Sequence, residues 1–441
     1  MLRRRSGLAF ALFAGMLAGG PGAARAGAQD PAVVAIRAGR LIDVERGQVL
    51  RDQVILVRGD RIAALQPASA KIPAGANVID LSRYTVGPGL IDCHSHLVGE
   101  PLAADVLQPL ERTETQEAMS GVRNARLTLL AGFTTVRDVG TYRAFVDVGL
   151  RDAIDDGTVV GPRMRVAGAY VTVSTGGGEL AGAAPDVTLP FAYRFGVANS
   201  ADEVRERVRA LLNGGADFIK IIATGAVLTR GTKPGVSEYT EQQIRAAVEQ
   251  AGEYGTFVAA HAHGAEGIKR AVRAGVRSIE HGSLIDDEGI ALMKQRGTWL
   301  VADIWNGDFI DSVGREQHWP ADVLRKNTET TETQRVGFRK AVAAGVRIAY
   351  GTDSGVYPHG MNAKQLPYMV KYGMTPMQAI QSATLSAAEL MQWDREVGSI
   401  TAGKFADLIA VENDGLADLR SFAKVAFVMK GGTVYKAPPT R

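Results

Sequence analysis

The feature that most constrains the fold is a repeated alternation, across the middle of the chain, of short apolar runs with longer amphipathic stretches. Eight runs are strand candidates: VGPGLIDCHSHL, FTTVRDVG, RMRVAGAY, DFIKIIAT, TFVAAHAHG, SIEHGS, TWLVAD and RIAYGTDSG. Strands separated by helices in this way form parallel sheets. Eight such units predict an α/β fold of the (β/α)8 TIM-barrel type. An open doubly wound sheet is the alternative, although the first run lacks its G-x-G-x-x-G turn.

Helix boundaries are marked independently of the apolar pattern. Three pairs have the spacing of a helix N-cap and its partner: Ser200 with Glu203, Thr240 with Gln243, and Thr375 with Gln378. Six glycines stand just before strand candidates: Gly132, Gly215, Gly255, Gly275, Gly297 and Gly345. A glycine there predicts a helix that ends in a left-handed residue.

The two ends of the chain have a different texture, with short valine- and isoleucine-rich segments. VVAIRAGRLID, QVILVRGDRIAAL and NVIDLS lie near the start, and DLIAVE and KVAFVMKGGTVYK lie near the end. We predict a small β-sandwich domain built from residues 27–84 and 396–441. The barrel would then occupy residues 85–395.

Residues 1–26 have the composition of an export signal. Arg3–Arg5 precede an apolar run from Gly7 to Ala18, and residues 24–26 offer an A-x-A cleavage site. The run is shorter than the roughly 20 residues of a membrane span. We predict a cleaved signal peptide, export by the Sec or the twin-arginine route, and a periplasmic or secreted protein without membrane attachment.

Charge and cysteine content narrow the function. Residues 1–26 hold four arginines and no acid, so their removal lowers the formal charge from +3 to −1. Without a basic stripe, the chain is not expected to bind nucleic acid. Cys93 is the single cysteine, so no intramolecular disulfide can form. A large core makes such a staple unnecessary in a chain of 441 residues.

Five of the seven histidines lie on or beside three strand candidates. His94 and His96 are two residues apart on the first, so their side chains point to the same face. Such an H-x-H register predicts two ligands of one metal ion. His261 and His263 repeat the register on the fifth candidate, and His281 ends the sixth.

Two further residues could complete a metal site. Lys220 has apolar neighbours on both sides, and burial favours a neutral amine that can react with CO2 to give a carbamate. A salt bridge inside the barrel is the alternative for this lysine. Asp353 ends the eighth strand candidate, at the barrel face where active sites are assembled.

These motifs resemble the amidohydrolase superfamily over nearly the whole mature chain. VGPGLIDCHSHL is similar to its first-strand signature, and residues 398–412, GSITAGKFADLIAVE, are similar to its return into the small β domain. AHAHGAEGI and SIEHGS resemble the imidazolonepropionase-related branch. That branch includes Xaa-Pro dipeptidases, carboxypeptidase-like enzymes and enzymes that hydrolyse ochratoxin.

The resemblance implies two divalent ions, and the mixed histidine and carboxylate ligands favour Zn2+. It implies that His94 and His96 bind one ion, that His261 and His281 bind the other, and that carboxylated Lys220 bridges the two. Asp353 becomes a ligand and the general base for attack by a metal-bridged hydroxide. His263 stands where some relatives have tyrosine, so it would polarise the substrate carbonyl or support a neighbouring group.

The implied reaction is cleavage of the amide bond to a C-terminal amino acid in dipeptide-like or N-acyl amino acid substrates, with ochratoxin A as a candidate. The substrate carboxylate calls for a cation, for which Arg230 and Lys233 are candidates by position. Residues 175–178, TGGG, predict a flexible loop beside the site. Relatives are commonly oligomeric, which implies a homo-oligomer.

Other functions fit the same motifs. A cyclic-amide hydrolase of the imidazolonepropionase type and a lactone or phosphotriester hydrolase stay open as alternatives. A mononuclear deaminase is disfavoured because it would not need Lys220. A non-catalytic binding protein is disfavoured because all six expected ligand positions are filled.

Overall fold

The computed structural model describes residues 33–100, 107–184 and 186–439. The predicted signal peptide, residues 1–26, lies outside them. The strands are β1 Val33–Asp43, β2 Gln48–Arg58, β3 Arg61–Pro67, β4 Asn77–Pro88, β5 Leu90–Ser95, β6 Phe133–Asp138, β7 Arg163–Val166, β8 Tyr170–Val171, β9 Ile219–Ile222, β10 Val258–Gly264, β11 Ser278–Leu284, β12 Trp299–Val301, β13 Leu408–Glu412, β14 Phe427–Lys430 and β15 Thr433–Lys436. Among the described residues, no helix is long and apolar enough to span a membrane.

The helices fill the connections that the sequence pattern predicted. They are α1 Glu114–Leu130, α2 Val146–Asp155, α3 Ala201–Asn213, α4 Glu241–Glu253, α5 Ala265–Ala274, α6 Asp287–Arg296, α7 Asn306–Glu316, α8 Ala321–Ala344, α9 Gln365–Lys371, α10 Pro376–Ser382 and α11 Leu385–Leu390. Short 3-10 turns supplement them at Gln108–Glu111, Phe191–Tyr193, Asn362–Lys364 and Leu419–Lys424.

Strands from both ends of the chain form one seven-stranded sheet, in the order β15-β14-β13-β4-β1-β2-β3. We predicted a β-sandwich, but these strands belong to a single sheet because β4 pairs with β1 and, near its end, with β13. Ile62 of β3 and Met429 of β14 share one buried apolar cluster, so the two ends of this sheet close over a common core. The predicted domain boundaries stay predictions.

The middle of the chain forms parallel strands, in the orders β5-β6-β7 and β12-β11-β10-β9-β8. The eighth strand candidate is not assigned as a strand, yet its backbone bonds on both sides. Leu300 N in β12 donates to Arg347 O at 2.8 Å, and Cys93 N in β5 donates to Tyr350 O at 2.8 Å. The segment 347–354 therefore links the last parallel strand to the first.

The local helix signals are confirmed. Thr240 and Thr375 form complete capping boxes with Gln243 and Gln378. Ser200 caps α3 through Glu203 N, but the Glu203 carboxylate accepts from the amide of Asn199 instead of Ser200. The six glycines that precede the strands all have positive φ, between 69° and 102°. Helix ends and the strands that follow are thus encoded locally.

Candidate metal centre

Three donors converge from the first and last parallel segments. His94 Nε2 lies 3.4 Å from Asp353 Oδ1, and His96 Nε2 lies 3.3 Å from the same oxygen. His96 Nδ1 donates to Gly140 O at 2.8 Å, which leaves Nε2 free to bind an ion. The H-x-H register therefore brings two imidazoles and one carboxylate to a single point.

A second group of imidazoles comes from β10 and β11. The potential donor atoms of His261, His263 and His281 lie within 4.8 Å of one another. The rings of His94 and His281 have centroids 4.7 Å apart, so the two groups adjoin. His263 Nδ1 contacts Ser283 Oγ at 2.8 Å. When Nδ1 carries the proton, Nε2 of His263 is a third potential metal ligand in this group.

Two donors depend on an uncommon backbone conformation. His281 has φ 68° and Asp353 has φ 57°, both in the left-handed region that residues other than glycine rarely adopt. Such backbone strain often accompanies functional sites, where the surrounding structure holds it in place. Here both side chains face His94 of β5.

Lys220 lies on β9 with only 2% of its surface exposed. Its side chain lines the same cavity as the histidines, and Nζ has no hydrogen bond or ion pair to any described residue. Burial lowers the pKa of Lys220 to about 8. A buried amine of low pKa without a partner fits carbamate formation better than the alternative of a salt bridge.

Charge is balanced around the donors. Burial alone would raise the pKa of Asp353, but the adjoining His94 and His96 side chains hold it well below its usual range. Burial lowers the pKa values of His94 and His261, which favours their neutral, metal-binding forms. An anionic Asp353 beside neutral His94 and His261 is the protonation state that a divalent cation requires, whereas the neighbouring Asp303 raises the pKa of His281.

One supporting carboxylate was not predicted from the sequence: Asp303, which follows β12. Its Oδ1 accepts from His281 Nδ1 at 3.1 Å and from Gln334 Nε2 at 2.8 Å. Asn306 donates to Asp303 at 3.1 Å and to Asp353 at 3.0 Å. These bonds orient His281 so that Nε2 remains available. Asp303 ends the strand candidate TWLVAD, and a carboxylate at a strand end is the sequence signal from which it could have been predicted.

We call the six predicted ligands the donor cluster: His94, His96, Lys220, His261, His281 and Asp353. All six line one cavity, and His263 lines it with them. Its wall also carries Ile222, Val227, Leu228, Ile310, Val356, Tyr142 and Tyr170. An apolar or aromatic group of a substrate would fit against these side chains.

Arg112, Arg143 and Glu117 line the same cavity, and with Tyr193, which contacts Arg143 from outside the lining, they form what we call the arginine cluster. Arg143 Nε donates to Glu117 at 2.9 Å, and its Nη2 donates to Tyr193 Oη at 2.6 Å. Its Nη1 has no partner among the described residues. Arg112 pairs with Glu100 at 3.3 Å, whereas its buried Nε has no partner among those residues.

Arg230 and Lys233 are not brought to the cavity. Both side chains are exposed, and neither contributes to the lining. Thr232 Oγ1 donates to the carbonyls of Ala226 and Thr229 at 3.1 and 3.0 Å, which folds this loop back on itself. Their position in the chain was the only reason to predict that Arg230 and Lys233 bind the substrate carboxylate. The turn directs both side chains to solvent.

The glycine-rich loop after β8 is anchored. Gly177 and Gly178 line the cavity, and the Gly177 amide donates to both oxygens of Glu238 at 3.0 and 2.9 Å. Thr229 Oγ1 donates to Gly177 O at 2.6 Å. Burial raises the pKa of Glu238 to about 7.

Comparison with known proteins places this site in a family. The sequence pattern of the amidohydrolase family matches residues 85–435. An ochratoxinase of Aspergillus niger is 32% identical, over 94% of this chain and 88% of its own length. An imidazolonepropionase of a Geobacillus species is 25% identical, over 87% of this chain and 88% of its own length.

A solved structure is also similar. A crystal structure of a Xaa-Pro dipeptidase with methionine bound in its active site has a TM-score of 0.87 and 38% sequence identity. The alignment covers 92% of this chain and all of the dipeptidase. The predicted relationship to the branch that contains dipeptidases and ochratoxin-hydrolysing enzymes is confirmed.

Proposed function

The chain belongs to the amidohydrolase family and is a hydrolase acting on C–N bonds, and we propose that it releases a C-terminal amino acid from dipeptide-like or N-acyl amino acid substrates. Ochratoxin A is a candidate substrate, since a relative over nearly the whole chain is an ochratoxinase. The observation that carries the proposal is one cavity that holds the donor cluster, apolar walls and the arginine cluster.

The donor cluster fits two divalent ions. His94, His96 and Asp353 form one set of nitrogen and oxygen donors, and His261 and His281 belong to the other. Mixed imidazole and carboxylate ligands suit Zn2+. The carbamate of Lys220 would supply the anionic bridge between the two sets. When bound, two such ions supply an activated water and polarise the scissile carbonyl.

The protein's own residues divide the remaining chemistry. Asp353 is held as an anion, so it can accept a proton during attack and deliver it to the leaving amine. His263 is buried beside His281, and burial lowers its pKa to about 3. A neutral His263 can donate a hydrogen bond from Nε2 only as the Nε2–H tautomer, in which Ser283 Oγ donates to Nδ1. In that tautomer it would bind the substrate carbonyl oxygen.

The substrate carboxylate would bind the arginine cluster and not Arg230 or Lys233. Arg143 is held by Glu117 and Tyr193 and keeps Nη1 without a partner among the described residues. A guanidinium fixed in this way loses little side-chain entropy when it binds a carboxylate. Arg112 already pairs with Glu100, and Arg143 pairs with Glu117. A substrate carboxylate would therefore compete with these acids or bind the guanidinium nitrogens that they do not contact.

Three wider expectations belong to the same proposal. The parallel strands and segment 347–354 form a closed (β/α)8 barrel, supported by the backbone bonds from that segment to β12 and β5. The mature enzyme is exported to the periplasm or medium and is a homo-oligomer. N-terminal sequencing of the secreted protein and its sedimentation behaviour test the last two.

The test of function is hydrolysis by the metal-loaded protein of a panel of N-acyl amino acids, dipeptides with varied C-terminal residues, and ochratoxin A. We expect release of the C-terminal amino acid, and loss of that activity in Asp353→Asn. Turnover of cyclic amides, lactones or phosphotriesters, with none of the panel cleaved, would contradict the proposal and favour those alternatives.

A further inference from the structure

A buried ion pair that no step of the proposed reaction uses lies below the donor cluster. Arg137 of β6 and Glu280 of β11 are both fully buried, and Arg137 Nη2 donates to Glu280 Oε1 at 2.7 Å. Arg137 also donates to Cys93 O at 2.6 Å and to Ser278 Oγ at 3.0 Å. Burying an ion pair is costly because both charges lose their hydration, so this pair calls for a structural or functional reason.

The free oxygen of this pair points at a predicted metal ligand. Glu280 Oε2 lies 2.9 Å from His94 Nδ1, while His94 Nε2 faces Asp353. Because a carboxylate only accepts, His94 must carry its proton on Nδ1 and present the lone pair of Nε2. The ion pair with Arg137, at 2.7 Å, keeps Glu280 in its carboxylate form.

Glu280 reaches His94 because of an unusual backbone conformation. Glu280 and His281 are consecutive, and consecutive residues of a regular strand point to opposite faces. Both nevertheless contact His94, one through a hydrogen bond and the other through its ring at 4.7 Å. The positive φ of His281 removes the alternation at this point.

We propose that Glu280 is a positioning residue for the metal centre, which fixes the tautomer and ring orientation of His94 while Arg137 holds the carboxylate in place. The inference rests on the proposed function only in taking His94 as a metal ligand. A carboxylate on the distal nitrogen makes an imidazole a better metal donor. Its loss should therefore weaken metal binding before any substrate is involved.

The experiment titrates the metal-free full-length protein with Co2+ in competition with a chromophoric chelator, and records the visible Co2+ spectrum. Glu280→Gln removes the charge and keeps the shape. Glu280→Asp keeps the charge beside Arg137 but shortens the side chain by one methylene, out of reach of His94. We expect roughly 10–100-fold weaker Co2+ binding and an altered spectrum in both variants.

The matched control is Asp147→Asn, which changes another fully buried carboxylate that accepts from the backbone amides of Val148 and Gly168. Its Co2+ affinity should equal that of the wild type. Thermal unfolding of the metal-free variants identifies those that fold, and E280D carries the test if E280Q does not fold.

Wild-type affinity and spectrum in folded E280D would overturn the inference, even with a weak E280Q, because the charge beside Arg137 would then suffice. The readout needs no substrate. Failure of the wild type to hydrolyse any panel amide would therefore refute the proposed function and leave this measurement intact.

Discussion

The donor cluster and the arginine cluster line the same cavity but are built in different ways. Most donors lie on the parallel strands β5, β9, β10 and β11, whose hydrogen-bonded register fixes them. Arg112 lies just before α1, Arg143 lies between β6 and α2, and Tyr193 ends a short 3-10 turn. One cluster is set by strand register and the other by contacts between distant loops. Substitutions in the two clusters should therefore have different effects on kcat and KM.

Asp353→Asn should give the largest effect and confirm that the donor cluster carries the chemistry. The amide keeps the shape but cannot accept a proton, so kcat should fall by roughly 10²–10⁴-fold, as for loss of a general base. Steady-state kinetics at matched metal content measure this. A kcat close to that of the wild type would show that Asp353 is not the general base. It would also contradict the expected difference between the donor cluster and the arginine cluster.

Arg143→Met should affect binding and leave the chemical step largely intact. Loss of a hydrogen-bonded charge would raise KM by roughly 10–100-fold for substrates with a free carboxylate. The same change in Arg230 should leave KM unaltered, because that side chain is exposed and outside the cavity lining. Kinetics of both variants on a dipeptide and its C-terminal amide decide between them.

Two results would contradict this assignment. One is an Arg230→Met variant with the raised KM, which would return the carboxylate site to the loop after β9. The other is an Arg143→Met variant that loses equal activity on the dipeptide and on its amide. The second would show that Arg143 supports the fold through Glu117 instead of binding substrate.

Glu238→Gln should give the smallest effect, on stability rather than turnover. Burial raises the pKa of Glu238 from 4.5 to about 7 in the folded protein, so the folded state binds this proton more tightly than the unfolded state. The free energy of unfolding should therefore fall as pH rises from about 4.5 to about 7. The contribution is on the order of 1 kcal/mol after solvent screening.

Denaturant unfolding of the wild type and Glu238→Gln across this pH range measures the difference. The variant should lose less stability with rising pH, because its amide does not ionise. Parallel pH profiles for the two proteins would show that the Glu238 carboxylate anchors Gly177 without a shifted pKa.

The fold and the donor cluster were largely predictable from the sequence. Amphipathic stretches, capping boxes and C-terminal glycines are local signals, and they marked the helices and the strands that follow. The H-x-H spacing fixes two side chains on one face at once. The sequence did not indicate that the strands of the small β domain form one sheet, because the pairing of β4 with both β1 and β13 is set by tertiary contacts that short segments do not encode.

The supporting residues were not predictable in the same way. Glu280 should face away from His281 by strand alternation, and only the positive φ of His281 brings both to His94. Arg143 looks like an ordinary loop residue until its contacts with Glu117 and Tyr193 are known. Arg230 shows the converse, since a position after a strand end does not determine where a long side chain points.

The most direct test of the account is the divalent metal content per chain of the wild type and of Lys220→Met, purified side by side with bicarbonate and Zn2+. The central claim is that buried Lys220 is carboxylated and bridges two ions. It predicts two ions per wild-type chain and fewer than two in the variant, because methionine fills the space but provides no anionic bridge. Equal metal content in the two proteins would contradict the claim and leave Lys220 as a buried structural lysine.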